Sequence, residues 1–335
     1  MTASPREPSE AGEAAAGAAA PGEAAPLSSA EVLQPAFAED VARLVEHEPD
    51  VRKGVDPEAV HQARVATRRL RSQLRTFRRA LRPKVSKRLS GSLKELAGLL
   101  GEVRDLDVLA ERFESAREAS GEPVSVPDRV VDDVLLKLSR EREAVFGELV
   151  AEMDSEGYRR LVAELEAFAA EPPFRKVAHR PAIDVLEPAV REAWDGLERT
   201  VAELRVVPSD AELHQARIRA KRARYAAQAA TPFSPPACKK LAKRLGKLQD
   251  ALGLLNDGVH AVDWLQRVAA MPPEPPGSWL ELRAGAELSG DSYLAGIELL
   301  VARQHLVMAA ARQEWPGRWS RARVAAGELG WLGPS

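Results

Sequence analysis

HQARVATRRLRSQLRTFRRALRPKVSKRLSGSLK, residues 61–94, is rich in Arg and Lys and holds not one Asp or Glu. At about 100° per residue its first part divides into two opposed helical faces. Ala63, Ala66, Leu70, Leu74, Phe77 and Leu81 line one side and predict a buried stripe. His61, Arg64, Arg68, Arg71, Arg75, Arg79 and Arg82 line the other. Like charges at i,i+4 repel along a helix, so an unpaired row of guanidinium groups predicts a polyanionic partner.

The pattern recurs downstream. HQARIRAKRARY, residues 214–225, matches residues 61–72 position for position, pairing His61 with His214, Arg64 with Arg217, Arg68 with Lys221, Arg69 with Arg222 and Arg71 with Arg224. A further basic helix is expected after each copy, and each ends in a similar phrase, GEVRD at Gly101–Asp105 and GLLND at Gly253–Asp257. From His214 to Gln249 acids are again absent, while Lys240, Lys243 and Lys247 help to form a second basic row. A repeat of roughly 150 residues is too long for a solenoid unit and fits duplication of a domain-sized helical module.

These two motifs resemble those of the CHAD (conserved histidine α-helical domain) family, whose members carry a first motif of the form H-x-x-R-V-x-T-R-R-L-R and a second of the form H-x-x-R-I-x-x-K-R-x-R-Y. Here they stand at His61–Arg71 and His214–Tyr225, and the resemblance extends over about Ala30 to Arg323. It implies two pseudo-symmetric helical bundles whose basic surface binds inorganic polyphosphate, in a stand-alone form associated with polyphosphate granules. The family is often joined to a catalytic CYTH triphosphatase domain, but the E-x-E-x-K signature of that domain is absent here.

Composition is consistent with this reading without revealing it. The chain of 335 residues is 45% hydrophobic and only 5% aromatic, with a formal net charge of −2. The total charge gives no hint of an anion binder; the distribution does, because acids are excluded from two segments and concentrated elsewhere. The single cysteine, Cys238, leaves no intramolecular disulfide and suits a reducing cytoplasm. No secretory signal is visible at the N-terminus, and no uninterrupted apolar run reaches membrane-spanning length.

Taken in order, residues 1–27 read as a disordered tail rich in Ala, Pro, Gly and Glu. The first bundle is expected over 28–176 and the second over 177–329, divided at the Pro-rich break from Glu171 to Pro181. Ser28 or Ser29 should cap a first helix that Pro35 kinks or restarts, and Asp56-Pro57-Glu58 is a sharp start for the motif helix. Pro83 should end that helix, with the next running from Ser86 to Ala116. Gly121–Pro127 and Met271–Pro276 read as loops, and Ser209 with Glu212 as a capping box. A last long helix should stop before Trp315-Pro316, followed by a short one over Trp319–Leu329. No strand-like alternation occurs, so the expected fold is all-α.

The candidate polyphosphate ligands are both histidines and the cations of the two motif helices, with Lys87, Lys94 and Arg104 on the second helix. Lys87, Gly91, Lys94, Gly98, Gly101 and Arg104 fall close to one stripe. Two readings of its glycines stand: they let a chain-like ligand approach, or they serve helix–helix contact. Arginine can bridge two phosphate oxygens with its planar fork, whereas lysine acts as a point charge. Asp257 with His260 has metal-ligand spacing, but acids beside basic rows more often orient the arginines. Neither a P-loop nor a catalytic base cluster is visible, so the chain reads as a binding protein without a cofactor, not an enzyme. Nucleic acid on the same basic surface is the alternative, but Phe77 and Tyr225 are the aromatics of these rows, and Phe77 points to the core side.

Overall fold

The computed structural model describes residues 26–118, 126–232, 235–271 and 290–332. The N-terminal tail and the two expected loops lie wholly or largely outside these residues. Among the described residues the chain forms nine α-helices and no strand: α1 (Ser29–Lys53), α2 (Pro57–Thr76), α3 (Pro83–Glu118), α4 (Asp128–Asp154), α5 (Glu156–Ala170), α6 (Ile183–Ala202), α7 (Asp210–Ala229), α8 (Pro235–Ala269) and α9 (Gly290–Gly327).

Local chemistry fixes the starts of the helices that matter. Ser28 and Glu31 form a reciprocal capping box at α1, and Ser209 and Glu212 form another at α7. Asp56 caps α2 by accepting from the Glu58 amide at 2.9 Å, with Pro57 at the first helical position, where its missing N–H costs nothing. Pro35 neither breaks nor restarts α1, which runs through it.

Two boundaries depart from expectation. The motif helix stops at Thr76, not at Pro83, and α3 begins at Pro83. Phe77, Ala80 and Leu81 are all buried, and Leu81 forms an isolated bridge with Phe174. Burying these side chains turns the chain out of the helix, and Pro83 then serves at a helix start. Arg79 and Arg82 therefore leave the helical row predicted for them. The second departure is α9, which continues through Pro316 instead of breaking there. A proline removes one backbone bond; the segment beyond it is held by the Trp319 ring stacked on Trp194 at 5.3 Å and by the ion pair of Arg318 with Glu314.

Most consecutive helices pack as neighbours, α5 and α6 excepted, and α2 against α7 is the most extensive packing between the two halves of the chain. One apolar cluster runs through both halves, from Phe37 of α1 and Leu70 of α2 to Leu245 of α8 and Ala322 of α9. A second cluster gathers the far ends of α3 and α8 with α4 and α9, where the Phe113 and Trp264 rings lie 5.7 Å apart. By length and composition α9 matches a membrane span, with mean hydropathy 1.3 over one window. A third of that window is buried, and α9 packs along α8.

Candidate functional site

The apolar stripe of α2 is buried as its periodicity predicts: Ala63, Ala66, Leu70 and Leu74 are each at most 2% exposed. That burial turns the basic face outward, and the same logic on α7 buries Ala216, Ala220 and Ala223. Because α2 packs against α7, the two basic faces meet. Between them lies a cavity of 380 Å³ walled by Arg64, Arg68, Arg71 and Arg75 from α2 and Lys221 and Arg222 from α7. Tyr225, Ser72, Ala97 and Ile218 complete the wall, and no Asp or Glu lines it.

Equivalent residues face one another across this groove. Arg64 lies in the field of Arg217, and Lys221 in that of Arg68. Burial, reinforced by Arg217, Arg68 and Arg64, holds the Lys221 ammonium far below its ordinary range, at about 7. His61 is also pushed down, first by burial and then by Arg104, and its Nδ1 has no hydrogen-bond partner. The buried Nε–H groups of Arg71, Arg217, Arg222 and Arg224 likewise find no acceptor in the protein. Leaving donors of charged groups unmet is costly, and the groove gathers several of them.

The protein positions some of these cations deliberately. Arg64 Nη2 is 3.0 Å from Asp105, so this acid orients a guanidinium, as expected, and Asp257 contributes to the field at the same arginine. Arg68 Nε donates to Tyr225 Oη at 2.6 Å, and its guanidinium lies 5.7 Å from the centre of that ring. Arg224 approaches the ring at 5.8 Å and reaches Gln249 at 3.3 Å. His214 Nδ1 meets Asn256 Oδ1 at 2.5 Å. With that oxygen as acceptor Nδ1 carries the proton, so Nε2 donates to an anion only when the ring is protonated.

The candidate residues thus fall into three groups. Arg64, Arg68, Arg71, Arg75, Lys221 and Arg222 share the cavity; His61 and Arg217 are coupled to its lining by charge and Arg224 approaches the Tyr225 ring, whereas His214 contacts Asn256 of α8. Arg69 is engaged elsewhere, 3.1 Å from the buried Asp40 on the α1 side, and Arg104 pairs with Glu111 at 2.9 Å while contributing to the field at His61. Arg79, Lys87, Lys94, Lys240, Lys243 and Lys247 are exposed outside the cavity, and Lys240 pairs with Glu328.

The glycine stripe fits neither earlier reading fully. A Cβ on Gly91 or Gly98 would meet open space, whereas one on Gly101 would lie 3.7 Å from the Arg64 guanidinium. On α8, Gly246 and Gly253 stand in the same relation to Arg224 and Arg217. These glycines give motif-helix arginines a flat bed. Three supporting residues escaped the sequence reading: Tyr225 as an arginine platform, and Gln249 and Asn256 as polar partners on α8. Tyr225 sits inside the second motif, which was the available signal; nothing local distinguishes Gln249 or Asn256.

An all-helical protein with a cation-walled groove where its motif helices meet is therefore the class that fold and site define. The CHAD domain profile matches residues 35–266, and the chain belongs to that family. It is 31% identical over 203 residues to the uncharacterized proteins MT2285 and Rv2226 of two Mycobacterium tuberculosis strains, covering 60% of this chain and 39% of theirs. The chain thus spans about two fifths of the length of these curated relatives. Among solved structures it resembles PptA from Streptomyces chartreusis, with a TM-score of 0.70 at 20% identity over 88% of this chain and 100% of that one. It also resembles the CHAD domain from the plant Ricinus communis, with a TM-score of 0.62 at 22% identity over 86% of this chain and 93% of the other. At these identities the likeness is one of fold.

Proposed function

We propose that this protein binds inorganic polyphosphate along the groove between α2 and α7, as a binding module and not a catalyst. The observation that carries this reading is the cavity wall: six cations from two helices, with no carboxylate among the lining residues. Arg64 to Arg75 spans about 16 Å at 1.5 Å per residue, a run suited to a chain of phosphates and not to one phosphate ion. The arginines of the wall carry planar forks of donors that suit bridging between phosphate oxygens. The same affinity would bring the protein to polyphosphate granules in a cell that forms them.

Nucleic acid would use the same charges, but it usually adds base stacking. Tyr225 is the aromatic side chain in the groove wall; it is 4% exposed and both Arg68 and Arg224 approach its ring. No ring face is left for a base. The test is competition: labelled polyphosphate displaced by unlabelled polyphosphate, DNA or RNA at matched salt. The reading expects polyphosphate to compete best, and to compete better as its chain lengthens. DNA or RNA competing equally at equal phosphate, or orthophosphate competing as well as long chains, overturns it.

A further inference from the structure

A second basic surface stands outside the groove. Two segments far apart in sequence, the turn after α2 and the link before α6, are tied together by backbone. The Arg82 amide donates to the Pro173 carbonyl at 3.0 Å and the Arg175 amide to the Ala80 carbonyl at 2.8 Å, around the Leu81–Phe174 bridge. Arg175 also donates through Nη1 to the Arg79 carbonyl. The union brings Arg79, Arg82, Lys84, Arg175 and Lys176 onto one exposed collar, and none forms an ion pair among the described residues. The neighbouring arginines differ: Arg78 pairs with Glu192 and Arg88 with Glu164. Glu31 and Glu171 share a cleft with Arg82, and Glu31 is already engaged in the Ser28 cap.

The position of this collar matters as much as its charge. Arg75 is the last groove cation on α2, and Arg79 follows it by four residues, a reach of at most about 14 Å of chain. The cationic path therefore continues from the groove onto the collar. The other half provides a control within the same molecule. The stretch after α7 equivalent to Phe77–Lys84 is Ala230–Ala237, ATPFSPPA, without a single charge. The groove cations recur in both halves, whereas the basic turn stands in one. Crowding unpaired cations at one end alone is unfavourable without a partner.

We propose that the collar built by Arg79, Arg82, Lys84, Arg175 and Lys176 is an extension site for an anionic polymer, taking the stretch of a polyphosphate chain that overhangs the groove at its Arg75 end. This rests on the groove reading and adds that the site is one-sided: long chains engage two surfaces in series, short ones only the groove. A second surface on the same chain acts through effective concentration, so it raises affinity without any new contact inside the groove.

The experiment titrates the full chain with short and long inorganic polyphosphates, each over a range of salt. It compares wild type with R79Q/R82Q/K84Q, with the groove variant R71Q/R75Q, and with R159Q/R160Q on the exposed face of α5 as a charge control. The collar variant should bind short chains within about twofold of wild type, yet lose about tenfold or more for long chains with a shallower salt dependence. The groove variant should weaken both lengths. Unchanged long-chain affinity in the collar variant, or an equal loss in the α5 control, overturns the collar and leaves the groove standing. Absence of polyphosphate binding by wild type removes the groove reading and the collar with it. Thermal melting of each variant separates lost binding from lost folding, since all three collar side chains are exposed.

Discussion

The two motif helices use the same charges on different foundations. Along α2 and its C-cap the buried stripe is Leu70, Leu74 and Phe77; at the equivalent positions α7 and its C-cap have Ala223, Ala227 and Ala230, all equally buried. Arg69 is anchored to Asp40, whereas Arg222, its counterpart, faces the groove and forms no ion pair among the described residues. The partner position explains why: aligned with the same spacing, Asp40 of α1 corresponds to Ala193 of α6. Ser72 corresponds to Tyr225, so one half supplies the ring on which an arginine of each half rests. Apolar sizes, anchors and aromatics all change between halves, yet Arg64 and Arg217, Arg68 and Lys221, and Arg71 and Arg224 keep their charge. Core packing would not demand the charge these three pairs share, although the match is not complete, since Arg75 lines the groove and aligns with Gln228.

The harshest way to break this comparison is to neutralise one side at a time. If both helices hold a single chain, R64Q/R68Q/R71Q and R217Q/K221Q/R224Q should each weaken long-chain polyphosphate binding by about a hundredfold at physiological salt. Titration of both variants beside wild type checks this. A full loss from one triple with no change from the other would mean that one helix acts alone.

A smaller effect separates the anchored arginine from its free counterpart. Asp40 is 1% exposed and burial raises its carboxyl to about 6, against the opposing pull of Arg69. Removing Arg69 leaves a buried carboxylate with the Gln73 amide at 2.9 Å and the weaker field of Arg43 to stabilise it. R69Q should therefore cost about 2 kcal/mol of stability above neutral pH. The sign with pH follows from the raised value. Losing Arg69 raises this carboxyl further still, so the deficit is complete once both carboxyls are ionised, shrinks as the variant takes up its proton, and is largely gone below pH 6. R222Q should cost nothing at any of these values. Denaturant melts of both variants at pH 5 and pH 8 decide it, and equal behaviour of the pair would break the contrast.

These residues also show how far the sequence could be read. The opposed faces of 61–77, the capping residues Asp56, Ser28 and Ser209, and the recurrence at His214 are local patterns of period 3.6 or of adjacent side chains, and they were legible. The early end of α2 was not, because burial of Phe77 and Leu81 and the bridge to Phe174 depend on a segment about ninety residues away. The unbroken α9 has the same cause: Trp319 finds Trp194 only in the folded chain. Within the site, periodicity placed the arginines on the basic face but could not tell that Arg69 turns to Asp40 while Arg222 does not. That distinction lies on a neighbouring helix.

A subtler asymmetry lies in Lys221, which stands where α2 has Arg68. Its ammonium titrates at about 7 because it is buried among Arg64, Arg68 and Arg217, with Asp105 the acid that opposes them. A bound polyanion favours the charged form, so binding takes up a proton whenever Lys221 is neutral beforehand. Affinity should fall about tenfold between pH 6 and pH 8, the window around that value. K221R should remove most of this dependence, since arginine stays charged throughout. The free protein should respond in the opposite sense. A depressed lysine destabilises the fold while it is charged, so its penalty eases as pH rises through 7. Titrations at pH 6, 7 and 8 for wild type and K221R test the idea; equal slopes would assign the proton to another group, with His61 the next candidate.

The smallest expected effect asks what the glycines are for. Gly101 lies under Arg64 and Gly253 under Arg217, one in each half, and an added Cβ would stand 3.7 and 3.9 Å from the respective guanidinium groups. Those are ordinary contacts that push nothing aside. Glycine inside a helix costs close to 1 kcal/mol relative to alanine, so G101A and G253A should each stabilise the fold by about 0.5–1 kcal/mol. If the glycines serve only as a bed for arginine, polyphosphate affinity should stay within about twofold, because the guanidinium groups keep their places. If instead they let the phosphate chain pass close to the backbone, affinity should drop although the protein melts higher. The two substitutions make a matched pair, and melting beside titration reads both quantities from the same samples. A drop for one and not the other would show that the chain lies nearer α3 or nearer α8, which places the ligand within the groove by a route independent of charge.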